Sequence, residues 1–92
     1  MDYPTFRQSM TGVLVELDPD TEPARAAEVG PDDNLFDEGL VTSFSVVRMI
    51  PHLERMAGRP IDVAEHDIES FATLRGLYGV VTGPEAADAR LG

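Results

Sequence analysis

Two neighbouring hydroxyl groups, on Thr42 and Ser43, form the part of the chain best suited to chemistry. They follow the segment Leu35-Phe36-Asp37-Glu38-Gly39-Leu40-Val41 and open a stretch of helical periodicity. A serine in the first turn of a helix is predicted to be exposed, and the free N–H groups and macrodipole there favour an attached phosphate. No base or third triad residue accompanies Ser43, so the pattern indicates a site of modification and not a self-activated nucleophile.

The other reactive side chains lack the partners that catalysis or metal binding requires. The chain has no cysteine and no lysine, which excludes disulfides, thiolate zinc sites and Schiff-base chemistry. His52 and His66 have no second ligand at the spacing of a zinc site. Asp18, Asp20 and Glu22 alternate as in a calcium loop, but a proline stands where that loop needs glycine. We therefore expect no catalytic residue and no metal site.

Length and charge narrow the class of protein further. With 92 residues the chain forms one small domain, which we place at residues 1–83, followed by a flexible tail at 84–92. Its 17 acidic residues and 7 arginines give a net charge of −10, which repels nucleic acid and anionic membranes. The sequence shows neither a membrane span nor a signal pattern, so we expect a cytoplasmic protein.

The periodicity of apolar residues predicts a first helix that starts after Asp2 or Thr5 and ends at Asp18-Pro19. Its apolar positions share one face, and they are Phe6, Met10, Val13, Leu14 and Leu17. A long polar connection at 18–34 follows, with room for one short turn at 24–29. A connection of this length is more often functional or packed than idle.

A second long helix is predicted at 43–57, with Gly58 as the residue that ends it. Its core face is predicted to contain Val46, Val47, Ile50, Leu53 and Ala57. The opposite face is predicted to carry Phe44, Ser45, Arg48, His52 and Arg55, with Met49 and Met56 at its border. Pro51 removes a backbone donor inside this helix, so we expect a kink near Met49–Pro51 or a break into two pieces there.

The last third of the chain predicts only short helical elements. Residues 65–69 allow at most a turn or two, and a final helix follows Thr73, whose hydroxyl can cap it. Leu74, Leu77, Tyr78 and Val81 are expected to face inward. Since no alternating strand pattern is present, the predicted fold is all-α, a small bundle of three to four helices.

Several of these segments together resemble the acyl carrier and peptidyl carrier protein family. They are the first helix and long loop, Leu-Phe-x-x-Gly-Leu at 35–40, a serine opening the second helix, Gly58-Arg59-Pro60-Ile61 and Phe71-Ala72-Thr73-Leu74. The resemblance implies that Ser43 carries 4′-phosphopantetheine, transferred from coenzyme A by a magnesium-dependent phosphopantetheinyl transferase. It also implies a monomer that holds an acyl or aminoacyl thioester for biosynthesis or secondary metabolism. An adenylating ligase or acyltransferase would load it, and a downstream synthase or modifying enzyme would use the cargo.

The chain departs from the common family pattern around the serine. Thr42 stands where the family usually has Asp, and one extra residue separates Gly39 from Ser43, as in stand-alone D-alanyl and aminoacyl carriers. The second helix offers cations where the family usually offers carboxylates. We therefore expect partners with acidic or apolar surfaces, recognised through Thr42, Phe44, Arg48, Met49, His52 and Arg55.

Two other functions compete with this prediction. One is a carrier-like interaction module in which Ser43 is only a helix cap and is never modified. The other is a small hydrolase or transferase that uses Ser43 with His52 or His66. His52 lies roughly 13 Å along the helix from Ser43 at 1.5 Å per residue, which is too far for a direct hydrogen bond.

Overall fold

The computed structural model describes residues 2–82, which form four α-helices and two 3-10 turns. The helices are α1 (Tyr3–Leu17), α2 (Pro23–Ala27), α3 (Ser43–Ala57) and α4 (Leu74–Thr82), and the turns are Val63–Glu65 and Ile68–Phe71. No strand occurs within this range. The prediction of a small all-α bundle is confirmed. The predicted tail at 84–92 lies outside the described residues.

The first helix begins and ends where the sequence predicts. The Asp2 carboxylate accepts the N–H of Thr5 at 3.0 Å and so caps α1, and extended backbone at Asp18 ends the helix. All five predicted apolar positions of α1 are buried. This face supplies one wall of the core, which also receives Leu35 from the long connection and Phe71 from the second 3-10 turn.

The long connection between α1 and α3 packs against the bundle. It contains the short helix α2, and Ala26 and Val29 are buried. Arg7 of α1 donates to the carbonyl oxygens of Ala27 and Val29, which fixes the end of α2. The connection between α1 and α3 is therefore an ordered part of the fold that packs against α1.

The helix that follows the serine is continuous, and it is not broken into two pieces at Pro51. Proline removes the N–H that would bond the carbonyl of Val47, and both residues are exposed, so water can satisfy that carbonyl. The buried residues of α3 are Val46, Met49 and Leu53. The prediction that Val47 belongs to the core face is wrong, since 63% of its surface is exposed.

Side chains form hydrogen bonds at both ends of α4, and the residue that ends α3 lies next to one of them. The Thr73 hydroxyl accepts the N–H of Gly76 at 3.0 Å, which confirms the predicted cap of α4. Gly58 ends α3 in the left-handed conformation, as predicted, with φ of 73°. The next residue, Arg59, donates to the carbonyls of Val80 and Val81 at 2.9 and 3.0 Å. A cation at the carbonyl end of α4 is also favoured by the helix dipole.

None of the helices in residues 2–82 is long and apolar enough to cross a membrane.

Candidate modification site

A tight turn delivers the chain to the start of α3. The side-chain oxygen of Asn34 accepts the N–H groups of Phe36 and Asp37 at 2.9 and 3.0 Å. The Leu35 carbonyl then accepts the N–H of Leu40 at 2.9 Å. Gly39 has a φ of +75°, a conformation that residues with a side chain rarely adopt. The Leu-Phe-x-x-Gly-Leu motif is thus a closed loop with glycine at the position that requires it.

The turn is fastened to the rest of the bundle on two sides. Leu35 and Leu40 are buried in the core, and the Leu35 N–H donates to the Ala72 carbonyl at 2.6 Å. This bond joins the first motif to Phe71-Ala72-Thr73-Leu74. On the other side, Arg25 of α2 donates to the Glu38 carbonyl and lies 3.6 Å from its carboxylate. These contacts fix the position of the turn, and therefore the position at which α3 begins.

Thr42, and not Ser43, is the cap of α3. Its backbone is extended, and its hydroxyl oxygen accepts the N–H of Ser45 at 3.2 Å. Ser43 is the first residue of the helix and is exposed. Among residues 2–82, its hydroxyl has no hydrogen-bond partner. The interaction-module alternative assumed that Ser43 caps the helix, and that assumption is wrong because Thr42 provides the cap.

The surroundings of Ser43 suit a group that carries negative charge. The first N–H groups of a helix lack intrahelical partners, and the first turn of α3 contains no acidic residue. The macrodipole adds partial positive charge at this end. Arg48 lies one turn further on, with its guanidinium carbon 6.0 Å from the centre of the Phe44 ring. The residues present therefore fit a phosphate ester on Ser43.

Four of the predicted recognition residues are exposed, namely Thr42, Phe44, Arg48 and Arg55, of which Arg55 lies more than three helical turns beyond Ser43. Phe44 has 71% of its surface exposed, and Arg48 also donates to the carbonyl of Leu17 at the end of α1 at 3.3 Å. His52 is half-buried between helices. Its Nδ1 lies 2.7 Å from the Arg55 guanidinium and its Nε2 lies 3.9 Å from the Glu16 carboxylate.

The prediction that Met49 belongs to the recognition surface is wrong, because Met49 is fully buried. The α3 helix is rotated so that Met49 enters the core and Val47 faces solvent. Sequence reasoning missed Val47 as a surface residue. The spacing of Val46, Met49 and Leu53 at i, i+3 and i+7 was the signal that could have found this orientation.

No catalytic or metal constellation is assembled within residues 2–82. No group of three or more metal-binding side chains occurs there. His66 packs edge-on against Phe71, with ring centres 6.0 Å apart, and His52 contacts Glu16 and Arg55. Neither histidine forms a hydrogen bond with Ser43, so the arrangement that the hydrolase alternative needs is not found in this part of the chain.

Comparison with known proteins gives one informative similarity. The chain is 27% identical over 77 residues to a D-alanyl carrier protein of Bacillus velezensis, which covers 84% of this chain and 94% of the relative. No family model matches the chain. No solved structure matches it.

The fold and the similarity point to the same class of protein. A four-helix bundle with an exposed serine at the start of α3 is consistent with a carrier-type domain. The similarity covers nearly the whole length of that relative, whose name describes a carrier protein. That name describes a carrier and not an enzyme.

Proposed function

We propose that the protein carries 4′-phosphopantetheine on Ser43 and holds an acyl or aminoacyl group as a thioester on that arm. It works as a cytoplasmic monomer and presents the group to the enzymes of a biosynthetic pathway. The observation that carries the proposal is the exposed hydroxyl of Ser43 at the first position of α3, left free because Thr42 provides the cap.

The attachment requires a separate phosphopantetheinyl transferase, because no base lies beside Ser43 in the described residues. The hydroxyl loses its proton, its oxygen bonds to phosphorus, and the pyrophosphate linkage of coenzyme A breaks to release the nucleotide. The exposed N–H groups at the start of α3 favour the resulting phosphate. The arm supplies a thiol, which this cysteine-free chain lacks.

The cargo is an aminoacyl or acyl group that a ligase or acyltransferase loads. The relative's name makes D-alanine the first amino acid to test. A downstream enzyme then removes the group. Every step therefore depends on a partner that reaches the beginning of α3.

The modification is tested by intact mass spectrometry after incubation with coenzyme A, magnesium and a broad-specificity transferase. We expect the mass to rise by one phosphopantetheine group in the wild-type chain and in Ser45→Ala, and to stay unchanged in Ser43→Ala. Ser45 is a matched control because it lies in the same helical turn. Modification that persists in Ser43→Ala would contradict the proposed site.

Thr42→Asp separates a wrong site from poor recognition by the chosen transferase. Asp caps helices as well as Thr does, so the fold should be retained. If only Thr42→Asp is modified, the serine is competent and the native transferase must accept threonine beside it. If neither chain is modified while a known carrier in the same tube is, the proposal fails.

A further inference from the structure

A cavity lies between the start of α1, the helix α4 and the long connection, on residues that the candidate modification site does not use. It is a partly enclosed hollow of about 220 Å³, lined by Tyr3, Pro31, Arg75 and Tyr78. An apolar cavity of about 150 Å³ accommodates benzene, so this one has room for a benzene-sized ring with a small substituent. The size of the cavity therefore indicates a small ligand.

The walls of the cavity are mostly apolar and partly aromatic. The rings of Tyr3 and Tyr78 meet edge to face, with their centres 5.5 Å apart. Phe6 is buried and supports both, since its ring centre lies 5.3 Å from that of Tyr78 and 6.3 Å from that of Tyr3. Pro31 adds an apolar ring from the long connection. Because aromatic groups pair edge to face or with offset stacking at such distances, these walls favour a ligand with an aromatic ring.

One of the lining side chains ends in an unsatisfied polar group. The hydroxyl oxygen of Tyr3 is buried, and within residues 2–82 it forms no hydrogen bond. Burial removes the hydrogen bonds that this hydroxyl would form with water, and nothing in the described structure replaces them. Such a group is unfavourable and calls for an explanation in a folded protein. A ligand atom that accepts the phenolic hydrogen would supply the missing partner.

Arg75 adds further donors at the same cavity. Its Nε and Nη2 donate to the Asp32 carboxylate at 2.7 and 3.1 Å, while its Nη1 has no hydrogen-bond partner in the part of the chain that the structure describes. The charge of Asp32 cancels that of Arg75, and the chain has a net charge of −10, so an anion gains little here. Phenol and guanidinium donors beside this neutralised pair therefore favour an uncharged acceptor, such as a carbonyl oxygen.

One wall of the cavity is weakly held, which allows a ligand to reach the buried hydroxyl. The turn at residues 30–33 closes on itself through two hydrogen bonds between its first and last residues. Among the described residues, every hydrogen bond that joins this turn to another element involves Arg75. The ion pair of Arg75 with Asp32 is exposed, and exposed pairs contribute little to stability. A small displacement of the turn is therefore inexpensive.

We propose that this cavity binds a small, uncharged aromatic carbonyl compound. The ring of the ligand lies against Tyr3 and Tyr78, and its carbonyl oxygen accepts hydrogen bonds from the Tyr3 hydroxyl and from Nη1 of Arg75. The inference goes beyond the proposed function, because the site uses no residue of α3 or of the turn that presents Ser43. The protein would thus have a ligand-binding site at α1 and α4 in addition to the serine.

The two tyrosines of the chain both line the cavity, and they provide a direct readout of binding. The full, unmodified chain is labelled with carbon-13 in its tyrosine rings, titrated with benzamide and followed by NMR. We expect the ring signals of Tyr3 and Tyr78 to shift and to saturate, with a millimolar dissociation constant because the ligand has few atoms. Benzoate has the same ring but a negative charge, and it should bind several-fold more weakly.

Tyr3→Phe tests the hydrogen bond, because it removes the hydroxyl and keeps the ring. We expect it to weaken benzamide binding about threefold to tenfold, the usual loss for one hydrogen bond. Toluene is the matched probe without a carbonyl, and its binding should be the same in Tyr3→Phe and in the wild-type chain. The ring signals of Tyr78 report binding in the variant, and circular dichroism verifies its fold.

Three results would overturn the inference: no saturable shift of the tyrosine rings with benzamide, benzoate binding as tight as benzamide binding, or equal effects of Tyr3→Phe on benzamide and toluene. The first two are measured on the wild-type chain, so the test remains decisive even if Tyr3→Phe does not fold. The titrations use the unmodified chain, so their outcome is independent of whether Ser43 accepts phosphopantetheine. Mass spectrometry of Ser43 tests that point separately.

Discussion

Thr42 and Ser43 carry hydroxyls on adjacent residues, yet only one of them is used by the fold. The Thr42 oxygen accepts the N–H of Ser45 because its backbone is still extended when α3 begins. Ser43 already has helical backbone, so its hydroxyl projects from the first turn and is exposed. A shift of one residue in the helix start would exchange these two roles.

This division of roles predicts unequal effects of two alanine substitutions. Thr42→Ala should lower the free energy of unfolding by about 1 kcal/mol, the usual value of an N-cap. Ser43→Ala should change it by less than about 0.5 kcal/mol, as for a surface residue without a partner. Urea titrations followed by circular dichroism measure both. If Ser43→Ala lowered the free energy of unfolding as much as Thr42→Ala does, the Ser43 hydroxyl would be shown to stabilise the helix, contrary to this prediction.

Sequence reasoning located this pair of hydroxyls and assigned the modification to Ser43, but it could not decide which of the two residues caps the helix. Threonine and serine both cap helices, and the choice depends on where the backbone first becomes helical. That point is set by Leu40 and Val41, which are buried before the helix starts. Their burial is a tertiary effect that no local pattern encodes.

At the scale of elements, periodicity predicted α1 and the extent of α3 well, and the orientation of α3 less well. The five apolar positions of α1 fall on a single stripe, so the sequence allows only one choice of buried face for this helix. On α3 the apolar residues extend around more of the helix. The periodicity therefore allows two buried faces, one centred on Val47 and one centred on Met49. Packing against α1 and α4 decides for Met49.

Two glycines in α4 provide a test of packing at the same scale. A Cβ built at Gly76 lies 2.5 Å from the Ser70 carbonyl oxygen, whereas one at Gly79 meets no described atom within 4 Å apart from its chain neighbours and the backbone of its own helix. Gly79→Ala should therefore stabilise the protein by up to about 1 kcal/mol through helix propensity. Gly76→Ala should destabilise it by about 1–3 kcal/mol, because the backbone of the 3-10 turn must move.

Thermal unfolding of the two variants measures this difference. Each substitution adds one methyl group to the same helix, so propensity is matched and only the contact with Ser70 differs. If both variants are stabilised, the close approach of α4 to the second 3-10 turn is not as described.

At the scale of the whole molecule, contacts between distant residues hold the connections in place. The Arg75 guanidinium of α4 donates to both carboxylate oxygens of Asp32 at 2.7 and 3.1 Å. The backbone N–H of Arg75 donates to the Pro31 carbonyl at 3.0 Å. Asp32 and Arg75 are 43 residues apart in the chain. Sequence reasoning could not predict such pairs, because no local spacing relates them.

The Asp32–Arg75 pair gives a pH dependence of defined sign. Hydrogen bonds from Arg75 hold the pKa of Asp32 below its ordinary value. A carboxylate with a lowered pKa stabilises the fold above its ordinary pKa of about 3.9, and this contribution is lost as pH falls through the lower value. Asp32→Asn should therefore be less stable than wild type at neutral pH, and the difference should vanish in acid.

Denaturant midpoints between neutral pH and pH values below about 3.9 measure this effect, with Asp37→Asn as the control that changes charge equally. Asp37 is exposed and forms no ion pair with the described residues. Because the Asp32 pair is exposed, its contribution should be small and should decrease in high salt. A difference that grows as pH falls would contradict the sign.

The most direct test of the carrier function is the chemical state of Ser43 in the cells that make this protein. The protein is purified from its source, digested, and the peptide spanning the start of α3 is sequenced by tandem mass spectrometry. We predict phosphopantetheine on Ser43, with part of the population bearing a thioester-bound acyl or aminoacyl group. An unmodified Ser43 throughout, in cells whose other carrier proteins are fully modified, would contradict the account.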